Sequence, residues 1–183
     1  MTTGVQPPLL LVTVGTDHHP FNRLVRWVDA WLGKAPAADL RCLVQTGTSV
    51  PPLGPAAWTA YLEHGALEAA IAEAAAVVCH GGPGTILAVR RTGAVPIVVP
   101  RRHRLGEHVD DHQVAFSRRL AASRSVFLAD SEAGLHRLLD RVVAEPAAFR
   151  TPVQQRGTAA AVAEFARLVG GLLAGQSTLG TVL

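Results

Sequence analysis

The sequence predicts an α/β fold with a Rossmann-like parallel sheet and helices on both of its faces. Short apolar runs at residues 9–14 and 76–79 are typical of strands buried on both sides. Segments with helical spacing or helix-forming composition separate such runs along most of the chain. Alternating strands and helices are the pattern of a doubly wound sheet, in which ligands bind at the carboxyl ends of the strands.

The first half of the chain supplies four of the predicted strands. Residues 9–14 form the first, and residues 21–32, whose apolar side chains recur at helical spacing, form the helix that follows it. Asp17 is expected to cap that helix, with Pro20 in its first turn. The later elements are a strand at 41–46, a Pro-rich loop at 49–57, a short strand at 58–62, a helix at 65–75 and a strand at 76–79.

The second half continues the same alternation after a glycine-rich turn. The predicted elements are first a helix at 85–92, a strand at 96–100 with prolines at its ends, a helix at 110–121 and a strand at 126–129. They are followed by a helix that is capped by Asp130 or Ser131 and runs to about 145, a linker at 146–152 and a last helix at 154–173. We expect a single domain over residues 1–183, with its core at about 9–145 and a loose tail at 175–183.

Composition narrows the classes of function. Of the 183 residues, 49% are hydrophobic and only 5% aromatic, and the formal net charge is +3. Basic residues do not alternate with aromatic ones, so nucleic-acid binding is not expected. Cys42 and Cys79 lie in apolar runs and are expected to be reduced core thiols in a cytoplasmic protein. The run at 9–14 is too short for a signal sequence or a membrane span.

The turn His80-Gly81-Gly82-Pro83-Gly84-Thr85 is the most informative stretch. It lies between a predicted strand and a predicted helix, where free backbone N–H groups and the positive end of the helix dipole face one spot. Glycine lets the backbone approach a ligand closely. The turn therefore indicates a phosphate or diphosphate site. The alternative is a glycine turn that joins a strand to a helix and binds nothing.

The segment at residues 100–113 carries a second set of polar side chains. Arg101, Arg102 and Arg104 follow a predicted strand, and such arginines can neutralise phosphate. Asp111 and Gln113 stand near a helix start and can hydrogen-bond the hydroxyl groups of a sugar. The alternative is a solvated loop whose acidic residues cap the helix.

Histidines in the same segment suggest a metal site as a competing hypothesis. His108 and His112 are four residues apart, which can place two imidazoles on one face of a helix. No His-Glu-x-x-His motif is present, and the third ligand is undefined. The sequence also lacks a Gly-x-Ser-x-Gly nucleophile elbow and the Lys-Ser/Thr of a P-loop.

These motifs together resemble the carboxyl-terminal half of family 28 glycosyltransferases, which have the GT-B fold and include the enzyme that makes lipid II from UDP-GlcNAc. The resemblance covers residues 9–145. It rests on Val12-Thr13-Val14-Gly15-Thr16-Asp17, the glycine turn, the strand at 96–100, and Gly106-Glu107-His108-Val109-Asp110-Asp111-His112-Gln113. Among single-domain members, the chain looks most like the Alg13-type subunit of the dolichol-linked GlcNAc transferase and the PssE/EpsF-like exopolysaccharide subunits.

The resemblance implies a UDP-sugar donor site that needs no metal. The glycine turn would hold the diphosphate, Gln45 and the two residues after it would lie near the nucleoside, and Asp111, His112 and Gln113 would reach the sugar. The donor-binding residues implied are Gly15, Thr16, Thr46, Gly47, His80, Gly81, Gly82, Gly84, Thr85, Arg101, Glu107, His108, Asp111, His112 and Gln113. One departure is Ala88, which stands where larger relatives carry a Glu that binds the ribose.

A GT-B enzyme needs two domains, and in this family the general base lies in the other half. The resemblance therefore implies no catalytic residue in this chain, and an inverting transfer completed by a membrane-anchored subunit that binds a lipid-linked or saccharide acceptor. The Trp27/Trp31 pair and the helix at 154–173 are candidate partner contacts, with core packing as the competing explanation.

The residues are also compatible with three different kinds of protein. One is a nucleotide- or sugar-phosphate-binding module without chemistry. Another is a metal-dependent hydrolase that uses His108 and His112. The third is a homo-oligomer that builds a complete active site from two copies of the chain.

Overall fold

The computed structural model describes residues 6–34 and 40–151. The chain divides into two units, residues 1–150 and 151–183, and the sheet and its helices belong to the first unit. The predicted helix at 154–173 and the predicted tail at 175–183 lie outside the described residues.

Six parallel strands form one sheet. They are β1 (Leu9–Thr13), β2 (Arg41–Gln45), β3 (Ala57–Thr59), β4 (Ala76–Cys79), β5 (Ile97–Val98) and β6 (Phe127–Leu128), in the order β3-β2-β1-β4-β5-β6. The chain winds outward from β1 to one edge and then from β4 to the other edge, which is the doubly wound arrangement. The structure therefore confirms the predicted fold class.

Among the described residues, four α-helices lie between strands and a fifth follows β6. They are α1 (Asn22–Leu32), α2 (His64–Glu73), α3 (Pro83–Arg91), α4 (His112–Ala122) and α5 (Glu132–Ala144), and two short 3₁₀ helices cover His103–Leu105 and Pro146–Phe149. Of the two residues expected to cap α5, Ser131 does so, because its Oγ accepts the Gly134 N–H at 3.1 Å. Asp17 does not cap α1, whose first turn follows Phe21.

The core lies on both faces of the sheet, and β1 is buried along its whole length. On one face, α1 packs against α5, where the Trp31 Nε1–H donates to Asp140 Oδ1 at 2.8 Å. Trp31 is 4% exposed and Trp27 is partly buried against the same core. For Trp31 the structure therefore favours core packing over a partner contact, since its indole has a packing site and a hydrogen-bond acceptor inside the domain.

Two local differences from the predicted elements have clear physical causes. Helix α3 begins at Pro83 and not at Thr85, because proline fits the first helical position, where no backbone donor is needed. The expected linker after residue 145 contains the 3₁₀ helix Pro146–Phe149, and Phe149 is fully buried. Its carbonyl accepts the Val95 N–H at 2.8 Å, so this segment belongs to the core.

The carboxyl ends of the strands bring four loops to one edge of the sheet. Thr13, at the end of β1, pairs with Gln45 of β2 on one side and with Cys79 of β4 on the other. The segments that follow β1, β2, β4 and β5 therefore leave the sheet side by side, as predicted. In the part of the chain that the structure describes, no helix has the length and apolarity that a membrane span requires.

Candidate functional site

The amino end of α3 is open toward solvent. Gly82 precedes the helix in an extended conformation, and among the described residues no side chain caps it. The Ile86 N–H bonds the Gly82 carbonyl at 3.2 Å, and Pro83 has no N–H to offer. The N–H groups of Gly84 and Thr85 have no acceptor within the helix, because the first turn lacks preceding carbonyls. They lie at the positive end of the helix dipole, an arrangement that suits an anion.

A cavity of about 220 Å³ lies beside this helix end. Six of the predicted donor-binding residues line it, namely Gly15, Thr16, His80, Gly82, Gly84 and Thr85. Gln45, which the resemblance places near the nucleoside, also lines the cavity, and the structure adds Thr13, Leu62 and Leu67. Sequence analysis did not assign Leu62 and Leu67 to the site, because an apolar side chain after a short strand or on a helix carries no chemical signature of a ligand. The cavity therefore joins a polar wall at β1 and α3 to an apolar wall at Leu62 and Leu67.

The imidazole of His80 stands between two glycine backbones. A Cβ built on Gly15 would lie 2.5 Å from His80 Cε1, and one built on Gly82 would lie 2.2 Å from Nε2. Any larger residue at either position must therefore displace the ring. Gly15 also has a φ of +83°, which favours glycine. Burial, reinforced by the charge of Arg101, lowers the pKa of His80 to about 4, so the ring is neutral at pH 7.

Gln45 links three of the loops at the sheet edge. Its Oε1 accepts the Thr13 hydroxyl at 2.6 Å and the Gly15 N–H at 3.2 Å. Its Nε2 donates to the Gly15 carbonyl at 3.0 Å and to the Ala60 carbonyl at 2.8 Å. The amide of Gln45 thus forms a fixed part of the cavity wall, which holds the loop after β1 in place.

Thr46 and Gly47, both predicted to contact the donor, build the turn after β2 instead. Thr46 is 1% exposed, and its hydroxyl and N–H both donate to the Thr59 carbonyl. Gly47 has a φ of +54°, and a Cβ there would lie 2.9 Å from the Gly15 carbonyl oxygen. Thr46 and Gly47 do not line the cavity, because they face the neighbouring loops.

Gly81 packs against α4, and the contact of its N–H group with a diphosphate stays a prediction. A Cβ at this position would lie 2.9 Å from both Gln113 Cβ and Ser117 Oγ, so only glycine lets α4 pack this closely on the turn. Gln113 is 4% exposed, and its Oε1 accepts the Arg101 N–H at 3.4 Å. Both residues connect the glycine turn to the segment after β5, and neither is among the residues that line the cavity.

Arg101 is fully buried and donates to three backbone carbonyls. Its Nη1 donates to the carbonyls of His19 at 2.6 Å and Glu107 at 2.8 Å, and its Nη2 donates to the Val14 carbonyl at 2.8 Å. The guanidinium also lies 4.9 Å from the centre of the Phe21 ring. The expected contact between Arg101 and phosphate is therefore corrected: the side chain holds the loop after β1 against the segment after β5.

Glu107 is likewise occupied inside the protein. It is 4% exposed and forms a bidentate ion pair with Arg23, with N–O distances of 2.8 and 2.7 Å. Its Oε2 also accepts the Arg102 N–H at 3.0 Å. Both oxygens of the Glu107 carboxylate are therefore paired inside the protein. Glu107, which was expected to contact the donor, instead shapes the segment after β5 and does not contact a ligand directly.

The remaining predicted residues lie around the start of α4. The Asp111 carboxylate is exposed and accepts the His103 N–H at 2.9 Å, and the side chain of His112 is 38% exposed. His108 is more buried, and its Nε2 lies 3.4 Å from Asp17 Oδ2. Burial raises the pKa of Asp17, but hydrogen bonds from the backbone and ring of His19 outweigh it and lower the pKa to about 2. Asp111 and His112 are therefore the accessible polar side chains of the segment after β5.

Ala88 lies on α3 beside a second, smaller cavity of about 190 Å³. Glu68, Ile71, Arg91 and Thr92 complete that cavity between α2 and α3. Glu68, the acidic residue that lines this cavity with Ala88, comes from α2, and its carboxylate is paired with Arg91 at 3.1 Å.

Two solved structures share the fold of this chain. The glycotransferase of kitacinnamycin aligns with 78% of this chain at a TM-score of 0.58 and 16% sequence identity. CalG4, the calicheamicin glycosyltransferase, aligns with 92% of it at a TM-score of 0.51 and 18% identity. The alignments cover 36% and 38% of the length of those proteins. Their similarity concerns the fold, which is that of a GT-B glycosyltransferase half.

Sequence comparison reaches the same class independently. Among curated proteins, none matches this sequence. The model of the glycosyltransferase family 28 C-terminal domain matches residues 9–169, which include every strand, the glycine turn and the segment after β5. The chain therefore belongs to the glycosyltransferase family 28 C-terminal domain family.

Proposed function

We propose that this chain is the donor-binding subunit of an inverting glycosyltransferase, of the Alg13-type or PssE/EpsF-like kind. It binds a UDP-sugar, and the sugar is transferred to a lipid-linked or saccharide acceptor held by a partner subunit. The membership of the chain in family 28 supports the class of reaction. The observation that carries the proposal is the open amino end of α3 beside a cavity that the loop after β1 also lines.

The cavity fits a nucleoside diphosphate in its chemistry. The N–H groups of Gly84 and Thr85 and the dipole of α3 attract the diphosphate. Leu62 and Leu67 offer an apolar surface to the flat face of a base. Gln45 and His80 are neutral at pH 7 and add no negative charge that would repel phosphate. Metal is not needed in this scheme, because backbone donors supply the electrostatic stabilisation.

The sugar end of the donor extends in this proposal toward the start of α4. Asp111 and His112 are exposed there, and His108 lies behind them. A carboxylate and an imidazole can accept and donate hydrogen bonds to sugar hydroxyls. Arg101 and Glu107 support this site without contacting the sugar, because their internal bonds keep the segment after β5 in position.

The second half of the active site comes from the partner in this proposal. The partner is membrane-anchored, carries the general base and binds the acceptor, and the complex works at the cytoplasmic face of the membrane in polysaccharide or glycoconjugate synthesis. The chain spans less than two fifths of the length of the two glycosyltransferases compared above.

A thermal-shift titration tests the donor site directly. The chain is titrated with UDP, GDP, TDP and ADP, each with and without EDTA. A ligand at about 100 times its dissociation constant stabilises the fold by about 2.7 kcal/mol, which raises the melting temperature of a domain of this size by several degrees. We expect a shift with UDP that EDTA does not change. A shift that EDTA abolishes would contradict the metal-free scheme, and no shift with any nucleotide would contradict a donor site in the isolated chain.

Two matched glycines make the test site-specific. Gly84 and Gly65 are both second residues of their helices, and a Cβ at either would meet nothing within 4 Å. Gly84→Val should therefore leave the fold intact and fill the space next to the Thr85 N–H, so the UDP shift is lost. Gly65→Val carries the same helical cost away from the cavity and should keep the shift. Equal UDP binding by the two variants would exclude a diphosphate at this helix end.

Gly82→Val is a harsher variant, because its side chain would also displace His80. We expect it to abolish UDP binding as well.

Analytical ultracentrifugation distinguishes a subunit that needs a different partner from a homo-oligomer. A monomer supports the former, and a stable dimer that transfers sugar by itself would contradict the need for another subunit.

A further inference from the structure

Three potential metal ligands converge at the start of α4, outside the cavity. One ligand atom each from His108, Asp110 and His112 lies within 4.8 Å of the other two. His108 Nδ1 lies 3.4 Å from Asp110 Oδ1, and His112 Nδ1 contacts the same oxygen. Two imidazole nitrogens and one carboxylate oxygen are a donor set that Zn²⁺ and other first-row transition metals accept.

His108 is held by contacts at both of its ring nitrogens. Its Nε2 faces Asp17 Oδ2 at 3.4 Å, and a carboxylate at that position accepts an N–H. The Asp17 carboxylate is therefore an outer partner of the ring, and Nδ1 on its other side lies 3.4 Å from both the backbone nitrogen and Oδ1 of Asp110. Metal-binding histidines nearly always donate their second N–H to such a partner, which fixes the ring and raises its basicity. Asp17 reaches His108 from a different loop, so the arrangement depends on the folded domain.

Exposure and charge also suit an ion at this place. The side chains of His108, Asp110 and His112 are 12%, 50% and 38% exposed, so an ion can enter and keep water as its remaining ligands. Asp110 and Asp17 supply two negative charges to offset the ion and the positive end of α4. His103, whose Nδ1 contacts the His108 carbonyl at 3.1 Å, stands next to the cluster and is the other titratable ring of this loop.

A second group of three, Asp17, His18 and His19, lies close by. It is the weaker candidate, because Asp17 already faces His108, whose Nε2 lies 3.4 Å from Asp17 Oδ2. His18 is 82% exposed, and its Nδ1 lies 3.6 Å from Asp17 Oδ1. Asp17 therefore serves better as the outer partner of His108 than as a ligand itself.

We propose that His108, Asp110 and His112 bind a divalent transition-metal ion such as Zn²⁺. The ion would cross-link the segment that precedes α4 and fix the orientation of the His112 ring. The proposal does not depend on nucleotide binding, and it assigns no hydrolytic reaction to the ion. It is tested in the absence of any nucleotide, so its failure and a failure of the donor site can be told apart.

The experiment titrates the tag-free chain with Co²⁺, whose visible absorption reports imidazole ligands, and then displaces Co²⁺ with Zn²⁺. We expect one ion per chain. Asp110→Asn keeps the shape of the side chain and removes its charge, and His112→Ala removes one nitrogen ligand. Each should weaken the binding of Zn²⁺ at least tenfold, and Asp17→Asn should weaken it by about 10- to 100-fold through His108.

Two control variants keep the result specific. His64 is 87% exposed on α2 and His18 is 82% exposed beside Asp17, and replacement of either by Ala should leave the affinity unchanged. Circular dichroism checks that each variant is folded. Absence of stoichiometric Co²⁺ binding, affinity unaffected by Asp110→Asn and His112→Ala, or loss of binding in His18→Ala would each overturn the proposal.

Discussion

Replacement of Arg101 by Met tests whether this buried cation holds the sheet edge together. The change removes the donors to three backbone carbonyls, those of Val14, His19 and Glu107. A hydrogen bond to a charged group contributes about 1.5–3 kcal/mol, and a buried acceptor left without a partner costs about 1–3 kcal/mol. The methionine side chain recovers part of the loss, because it avoids the desolvation of a charge. We therefore expect a fall of about 4 kcal/mol in the free energy of unfolding.

Urea denaturation followed by circular dichroism measures this change. Arg104→Met is the matched control, since Arg104 is exposed three residues further along the chain and its replacement should stay within about 0.5 kcal/mol. Arg101→Lys should fall between the two, because a single ammonium cannot reproduce the planar fork that reaches three carbonyls. The melting temperature of Arg101→Met should fall by about 8–16 °C. If Arg101→Met and Arg104→Met unfold at the same urea concentration, the guanidinium does not cross-link these loops.

Three further predictions concern the titration of His80, the two thiols and the cap of α5. Because burial lowers the pKa of His80 to about 4, the unfolded chain binds a proton that the folded chain excludes between pH 6.5 and pH 4. Stability should fall by about 3 kcal/mol as the pH falls through this window, and His80→Gln should flatten the curve; equal pH slopes would exclude His80 as the cause. Burial raises the pKa of both Cys42 and Cys79 to about 12, so neither should react with iodoacetamide until urea unfolds the chain, and rapid labelling at pH 8 would contradict their burial. Ser131→Ala should cost about 1 kcal/mol in urea denaturation through loss of the cap, whereas an equal loss in Asp130→Ala would mean that the cap is shared.

The elements that the sequence predicted well are those with a strong local signal. The fourth strand was predicted at its observed bounds, Ala76–Cys79, because an apolar run and a glycine turn define both ends. The placement of His80, Gly82 and Gly84 at the sheet edge follows from the same pattern, since parallel strands end on one side. Residues 103–105 and 146–149 were expected to be irregular, because a single 3₁₀ turn has too little sequence periodicity to be recognised.

The destinations of individual polar side chains were harder to predict. Arg101 bonds carbonyls 82 and 87 residues away, and Glu107 bonds Arg23 across 84 residues. Sequence analysis could place both residues in the correct loop, but a loop position does not say whether a side chain points to solvent or into the fold. Burial of a charge is favourable only if partners meet it, and those partners come from other parts of the chain.

The unequal strand lengths in the sheet have a consequence for its dynamics. β1 pairs with β2 over five residues, but β4 pairs with β5, and β5 with β6, over only two. Backbone amides in β5 and β6 should therefore exchange with deuterium faster than those in β1 and β4, through openings smaller than global unfolding. The glycine turn, which follows β4, is anchored on the slowly exchanging half, whereas residues 101–111, which follow β5, are anchored on the faster one. A ligand that contacts both the glycine turn and residues 101–111 should therefore slow deuterium exchange mainly in β5 and β6, because it links their side of the sheet to the more stable strands.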